Sequence, residues 1–532
     1  MSATAVTTPS SRIRRRGSRP TLPPPARVLM VAAVVSTGCA VAMLIGPPTG
    51  TDLTAQQFRA AFATSHPLAA IDLRWLSGVQ PAAYSVIAPY VQALLGVRLT
   101  GAMAAVASAV LLATLLIRWR APRADWAAGW AAVGFVADVV DGRVAFALGV
   151  AVGLAALVAV PFERASRWRW VLPLVLAVAC PLTSPVAALF LALVSAGWAL
   201  RRRAVLSLSV AALLPLGVIG LAFPEPGRMP DTWHVVWPDL LAAAGVVVLC
   251  RGLTVRAVAA CYGIAVFVIY LDPGPIGSNI ERLAVLFTAP VLICCARLPR
   301  PLLLAALVLV GWWSTRPVLT DLHDAGTLAA ERSAASQLVG TLHGMGPITG
   351  RIEVVPFLDH GESSTVAAAW PLARGWERQV DVSRNATLYD GTLTPSRYYA
   401  WLRAHAVQYV ALGRGRHDFG AQHELKLLAH PPAYLVPVHV DGEWTVWRVT
   451  GATPIVAAPG RLVSVAADSM TLSRPSTGDV TVNVHPNHWW HVSGGACIAG
   501  SSDAGITIRL PRAETVTLSS SYLHPSGGPR CG

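Results

Sequence analysis

Carboxylates and arginines, the side chains that move protons and hold anions, gather in three short stretches of this chain. The first is Thr51-Asp52-Leu-Thr-Ala-Gln-Gln-Phe-Arg59, followed in the same segment by Ile71-Asp72-Leu-Arg74-Trp75. The second is Asp138-Val-Val-Asp141-Gly142-Arg143, and the third is Gly277-Ser-Asn279-Ile-Glu281-Arg282-Leu283. A carboxylate at a membrane surface suits proton abstraction, and an arginine fork suits two phosphate oxygens at once. Asp138 and Asp141 are three residues apart and share a helix face. There they either bind a divalent cation (Mg or Mn) through oxygen or neutralise Arg143. Plainer roles fit the other groups. Asp52 would cap the helix after it, Asp72 and Arg74 would form a loop salt bridge, and Asn279 to Arg282 would be a polar helix start.

The elements that must position these groups are membrane helices. Of 532 residues, 54% are hydrophobic and only 13% charged, with a mean hydropathy of +0.52. Soluble domains carry about 25% charge. The net charge of +14 does not indicate a nucleic-acid partner, because the arginines sit in short gaps between apolar runs and Lys426 is the only lysine. Apolar runs fill residues 27–316, and charge and turn residues return afterwards. The first run, from about Arg27 to Gly46, is long enough for a retained anchor, with a cleaved signal peptide as its rival. Ten more centre near residues 108, 132, 152, 176, 192, 213, 244, 264, 288 and 308, which predicts about eleven transmembrane helices.

Arginine distribution orients the chain. Arg118, Arg120 and Arg123, then Arg164, Arg167 and Arg169, then Arg201 to Arg203, then Arg251 and Arg256, then Arg297 and Arg300 fall on alternate gaps. The other gaps hold single arginines: Arg59, Arg74, Arg98, Arg143, Arg228 and Arg282. The basic gaps join the tail 1–26 (Arg12, Arg14, Arg15, Arg16, Arg19), expected to be disordered and cytoplasmic. An odd number of crossings then places residues after Arg316 outside a plasma membrane. Residues 317–450 mix patterns: strands over Arg351–Pro356 and Val407–Leu412, a helix over Ser396–His405. Residues 451–532 alternate as a β-rich, sandwich-like module, with strands at 480–484, 505–510 and 515–518. Cys497 and Cys531, the only two of eight cysteines in this block, could pair outside the cell. His485, His488 and His491 near Cys497 match no metal-ligand spacing, and no glycine motif for a nucleotide cofactor occurs.

The first outer loop, 47–97, is long where other gaps are tight. Leu53, Phe58 and Phe62 among Gln and Arg suggest a helix lying at the interface, and Tyr84–Leu95 a second interfacial or re-entrant one. The run Asp52, Trp75, Gly78, Pro81, Tyr84, Pro89 resembles the first loop of the GT-C superfamily of integral membrane glycosyltransferases. Gly277 to Leu283 is similar to a stretch in the same relatives, as is Trp370-Pro-Leu-Ala-Arg374-Gly-Trp376-Glu377-Arg378-Gln379. The loop departs from the stricter members in having no Asp-Asp or Asp-x-Asp pair.

The resemblance implies transfer of a sugar from a polyprenyl-phosphate donor to an envelope glycan or lipid acceptor. It makes Asp52 the expected base, Asp72 its support or alternative, and Arg74, Arg143, Asn279 and Arg282 the phosphate-side groups. A transporter or lipid flippase, and a non-catalytic envelope scaffold, are the rival readings. Cavity position separates them. An outer-face groove holding Asp52 and open to lipid favours transfer, a central two-sided cavity favours transport, and a filled bundle favours a scaffold. The tryptophans Trp370, Trp376, Trp401, Trp444, Trp447, Trp489 and Trp490 either stack on sugars or fill cores.

Overall fold

The computed structural model describes residues 24–161, 166–225, 227–502, 505–524 and 528–531. The basic tail up to residue 23, with its five arginines, lies outside the described residues, as does Arg164. The chain opens with α1 (Pro24–Ile45), which packs on two later helices. The loop after it holds α2 (Leu53–Ser65), α3 (Pro81–Tyr84) and α4 (Ala88–Leu95). Then come α5 (Val97–Arg118), α6 (Ala124–Val140), α7 (Val144–Ala159), α8 (Val171–Thr183) and α9 (Pro185–Ala199). The block closes with α10 (Leu206–Ala222), α11 (Trp233–Leu249), α12 (Leu253–Leu271), α13 (Glu281–Cys295) and α14 (Arg300–His323).

A helix thus forms at each of the eleven apolar runs. Among the described residues six spans are long and apolar enough to cross a membrane: Pro25–Ile45, Val97–Arg118, Arg203–Ala222, Leu253–Leu271, Gly277–Cys295 and Arg300–His323. They mark a membrane protein. The remaining five are shorter, in part because proline and serine divide them. Ser184 ends α8 and caps α9, its hydroxyl accepting from Ala187 N–H with Pro185 at the first helical position. Alanines such as Ala105, Ala109, Ala128 and Ala132 line the seams of α1, α5 and α6, so these helices approach closely.

After α14, α15 (Thr327–His343) leads into a mixed sheet of β1 (Arg351–Val354), β2 (Val407–Gly413), β3 (Leu435–Val440) and β4 (Trp444–Val449), ordered β1-β2-β4-β3. Only the β1–β2 pair is parallel. The helix expected near 396–405 spans Pro395–Ala404, capped by the Thr394 hydroxyl. Residues beyond 451 form two antiparallel sheets over one buried cluster that includes Met470, Leu472, Ile506, Ile508, Val516 and Leu518. Cys497 and Cys531 form a disulfide.

The first loop differs most from expectation. Instead of lying on an interface, α2 is buried on nearly every side, including Gln56 and Arg59. Its polar groups are satisfied from far away in sequence: Arg59 pairs with Glu377 at 3.0 Å, and Thr54 Oγ1 donates to Asp359 O at 3.0 Å. Phe58 stacks on Trp75 at 3.8 Å, and both belong to the core under the mixed sheet. Ile71 and Leu73 belong instead to the core of the β module. The loop is therefore a shared strut of both C-terminal domains. Next, α3 and α4 are separate short helices, with Leu94 of α4 83% exposed.

Candidate functional site

Two glycines set the site's geometry. Gly50 and Gly142 both have positive φ, and each is pressed against the other's loop. A Cβ on Gly50 would lie 2.3 Å from Asp141 C, and one on Gly142 would lie 2.3 Å from Leu53 N. Only glycine tolerates both the conformation and the approach. The contact brings the turn Asp141-Gly142-Arg143 against the start of α2, at the end of the bundle that faces the C-terminal domains.

There a cavity of about 740 Å³ opens. Asp52, Gln56, Arg59 and Tyr84 line it from the first loop, and Asp141 and Arg143 from the α6–α7 turn. Asn279 comes from the turn before α13, Glu281 and Arg282 from the start of α13, Asp321 from the end of α14, and Trp376, Arg378, Asp418 and Phe419 from the C-terminal domain. Its flank is apolar. Leu216, Ile219 and Gly220 of α10 face inward, while Leu214, Val218 and Leu221 of the same helix are exposed on its outer side. One helix thus separates this flank from the surroundings of the bundle.

Asp52 stands at the N-cap position of α2, yet its side chain makes no capping hydrogen bond. The backbone there is helical (φ −72°, ψ −15°), whereas a capping residue is usually extended. Its carboxylate turns instead to Arg282, Oδ2 to Nη2 at 3.4 Å, and stays 31% exposed. The preceding carbonyl, Thr51 O, accepts from the Trp376 indole at 2.6 Å. Trp376 in turn stacks on His360 at 3.8 Å. His360 lies 3.5 Å from Glu362 and 3.8 Å from Asp418, at ion-pair and not hydrogen-bond range. Burial depresses the imidazolium, but the two carboxylates outweigh it and push its pKa up to about 9. Asp418 also takes a bidentate pair from Arg378, at 2.6 and 2.7 Å.

Asp138 at the end of α6 and Asp141 just after it both meet Arg143. Arg143 Nη1 lies 3.5 Å from Asp138 and 3.3 Å from Asp141. Asp141 Oδ1 is buried with no hydrogen-bond partner, and Asp321 lines the same cavity. Among the described residues no group of three or more His, Cys, Asp or Glu is arranged to hold a metal ion. Asn279 lines the cavity, but its amide donates to Ile276 O at 2.8 Å and serves the helix start.

Asp72 and Arg74 lie outside the cavity lining. Asp72 accepts from Arg74 N, Nε and Nη2 at 3.0, 2.9 and 2.6 Å, and Arg74 covers the Phe58 ring at 3.7 Å. Trp401, Trp444, Trp447, Trp489 and Trp490 are buried in cores. Trp376 is the tryptophan at the site.

Several lining residues carried little sequence signal. Arg59 read only as one of the scattered arginines, and Tyr84 only as part of a loop pattern. Asp321 follows the last apolar run, where nothing marked it. Arg378 was visible within the Trp370–Gln379 stretch but had no assigned role. A scan against protein-family models finds no match, and a search of the curated proteins finds none either.

Proposed function

We propose that the chain is an integral membrane glycosyltransferase-like protein of the GT-C kind, with eleven crossings, a cytoplasmic N-terminus and its C-terminal domains outside the cell. It would take a sugar from a polyprenyl-phosphate donor and pass it to an envelope glycan or lipid. The observation that carries this reading is Asp52: a carboxylate released from helix capping, set opposite Arg282 inside a cavity with a charged rim and an apolar flank. A hydrocarbon chain with an anionic head matches that division.

In the reaction, the acceptor hydroxyl gives its proton to Asp52 and its oxygen attacks the anomeric carbon. The bond from that carbon to the phosphate oxygen breaks, and polyprenyl phosphate leaves with the electron pair. Arg282 balances the charge on the leaving phosphate. When the phosphate engages Arg282, the 3.4 Å contact to Asp52 gives way and the base is freed for the acceptor. Trp376 holds Thr51 O, and so fixes the backbone from which Asp52 projects.

A scaffold is the second reading, and the lining favours it in one respect: Arg59, Arg143, Arg282 and Arg378 each already face an acid. Profiling of envelope glycans and glycolipids by mass spectrometry separates the two. Deletion should remove a glycan species that wild type restores and Asp52→Asn does not. Full restoration by a well-expressed Asp52→Asn chain would leave the scaffold in possession.

A further inference from the structure

Beside Asp52, the first loop builds a chain of hydrogen bonds that ends in the cavity. Gln92 Nε2 of α4 donates to Gln56 Oε1 of α2 at 2.8 Å. Gln56 Nε2 then donates to the Tyr84 hydroxyl oxygen at 2.9 Å. The hydroxyl hydrogen of Tyr84 has no acceptor among the described residues, while Tyr84 and Gln56 both line the cavity. The ring cannot swing away, because the Arg59 guanidinium covers its face at 3.9 Å and is itself held by Glu377 at 3.0 Å. Arg59, Asp52 and Arg282 are the charged groups close enough to act on the phenol.

Burial raises the Tyr84 phenol above its ordinary value despite the opposing pull of Arg59, so the hydroxyl keeps its proton and remains a donor. Donors in sequence polarise one another, which strengthens the last one. A neutral donor lining the same cavity as Arg282 is suited to a phosphate, which presents several oxygens to partners on different sides. Around this corner two arginines face two carboxylates, Arg59 with Glu377 and Arg282 with Asp52. Around Arg143, by contrast, Asp138, Asp141 and Glu281 crowd a single cation.

We propose that Tyr84 is a phosphate-binding residue: its hydroxyl and Arg282 together seat the phosphate of a lipid-linked ligand, with the tail along the Leu216–Ile219 flank. This rests on the lipid-phosphate reading above and adds to it a residue and a position for the head group. Gln56 and Gln92 are positioning residues, acting on the phosphate only through Tyr84.

The test is binding by the full-length chain in lipid nanodiscs, with three probes: farnesyl monophosphate, farnesol and inorganic phosphate. Tyr84→Phe keeps the ring under Arg59 and removes only the hydroxyl. It should weaken farnesyl monophosphate binding about tenfold, the size of one hydrogen bond to a charged group, and leave farnesol binding unchanged. Inorganic phosphate should bind far more weakly than the farnesyl ester to the wild-type chain. If inorganic phosphate binds as well as the ester, the ligand is free phosphate and the lipid-linked seat is wrong. Equal losses for ester and alcohol would show that the hydroxyl only supports packing, and overturn the proposal. So would an unchanged affinity for the ester, as expected if the chain runs the other way with Tyr84 donating to Gln56. In either case the lipid-phosphate reading itself would survive. If the wild-type chain does not bind the ester, that reading falls and the seat with it.

Discussion

The first loop contributes the aspartate to each of two aspartate–arginine pairs, and the two pairs differ in every physical respect. Asp72 and Arg74 are two residues apart, joined by three hydrogen bonds, and the Asp72 side chain is 3% exposed. Asp52 and Arg282 are 230 residues apart, joined by one contact at 3.4 Å, and the Asp52 side chain is 31% exposed on a cavity wall. The first pair has spent its hydrogen-bonding capacity on itself, and its arginine is pinned on Phe58. The second has kept capacity in reserve, at a position where the neighbouring backbone is fixed by Trp376 and two glycines. Saturated ion pairs hold folds together. An unsaturated pair in a cavity is where a ligand can be exchanged for a partner.

The comparison breaks most sharply through activity. Asp52→Asn should lower formation of the glycan product by about 10²- to 10⁴-fold, the usual contribution of a general base, as read by mass spectrometry. Asp72→Ala should instead act on stability. It removes the acceptor for three donors and strands a largely buried arginine, at a cost of about 2–3 kcal/mol measured by thermal or denaturant unfolding of the full chain. The protein that remains folded should retain product formation. Exchanging the residues, Asp72→Arg with Arg74→Asp, should recover part of that stability, whereas Asp52→Arg with Arg282→Asp should recover no activity.

A smaller effect concerns pH. His360 backs Trp376 and therefore the Asp52 side of the comparison only. Its ordinary pKa is 6.5, and the folded value is pushed up to about 9. A raised folded value means the charged form stabilises the fold. That contribution is complete below about pH 6.5 and is lost as pH rises through about 9, amounting to something of order 1–3 kcal/mol. Unfolding midpoints should fall over that window in wild type, and His360→Gln should flatten the fall. The smallest effect is on stability at Asp52 itself. A partly exposed pair at 3.4 Å contributes little, so Asp52→Asn should shift stability by less than about 1 kcal/mol.

The two pairs also show what could be read in the sequence. Asp72–Arg74 was legible because its partners are adjacent, and so was its plain salt-bridge role. Asp52 was legible as a candidate, but Arg282 as its counterpart was not, since hydropathy gives helices without saying which helix ends meet. The apolar runs located eleven helices, and alternation located strands near 351, 407, 480, 505 and 515. The burial of α2 could not be read in the same way. Its Gln56 and Arg59 resemble a solvated face until Tyr84, Gln92 and Glu377 are brought to them by tertiary folding. Asp321 was missed because the apolar pattern of α14 fades near Arg316, although the helix continues to His323.

The most direct test compares the two aspartates in one strain background. Deletion strains carrying Asp52→Asn or Asp72→Asn at matched protein abundance would be profiled for envelope glycans and glycolipids. The expected result is loss of the species dependent on this chain with Asp52→Asn and its retention with Asp72→Asn. Retention in both, or loss in both to the same degree, would contradict the assignment of Asp52 to chemistry and Asp72 to structure.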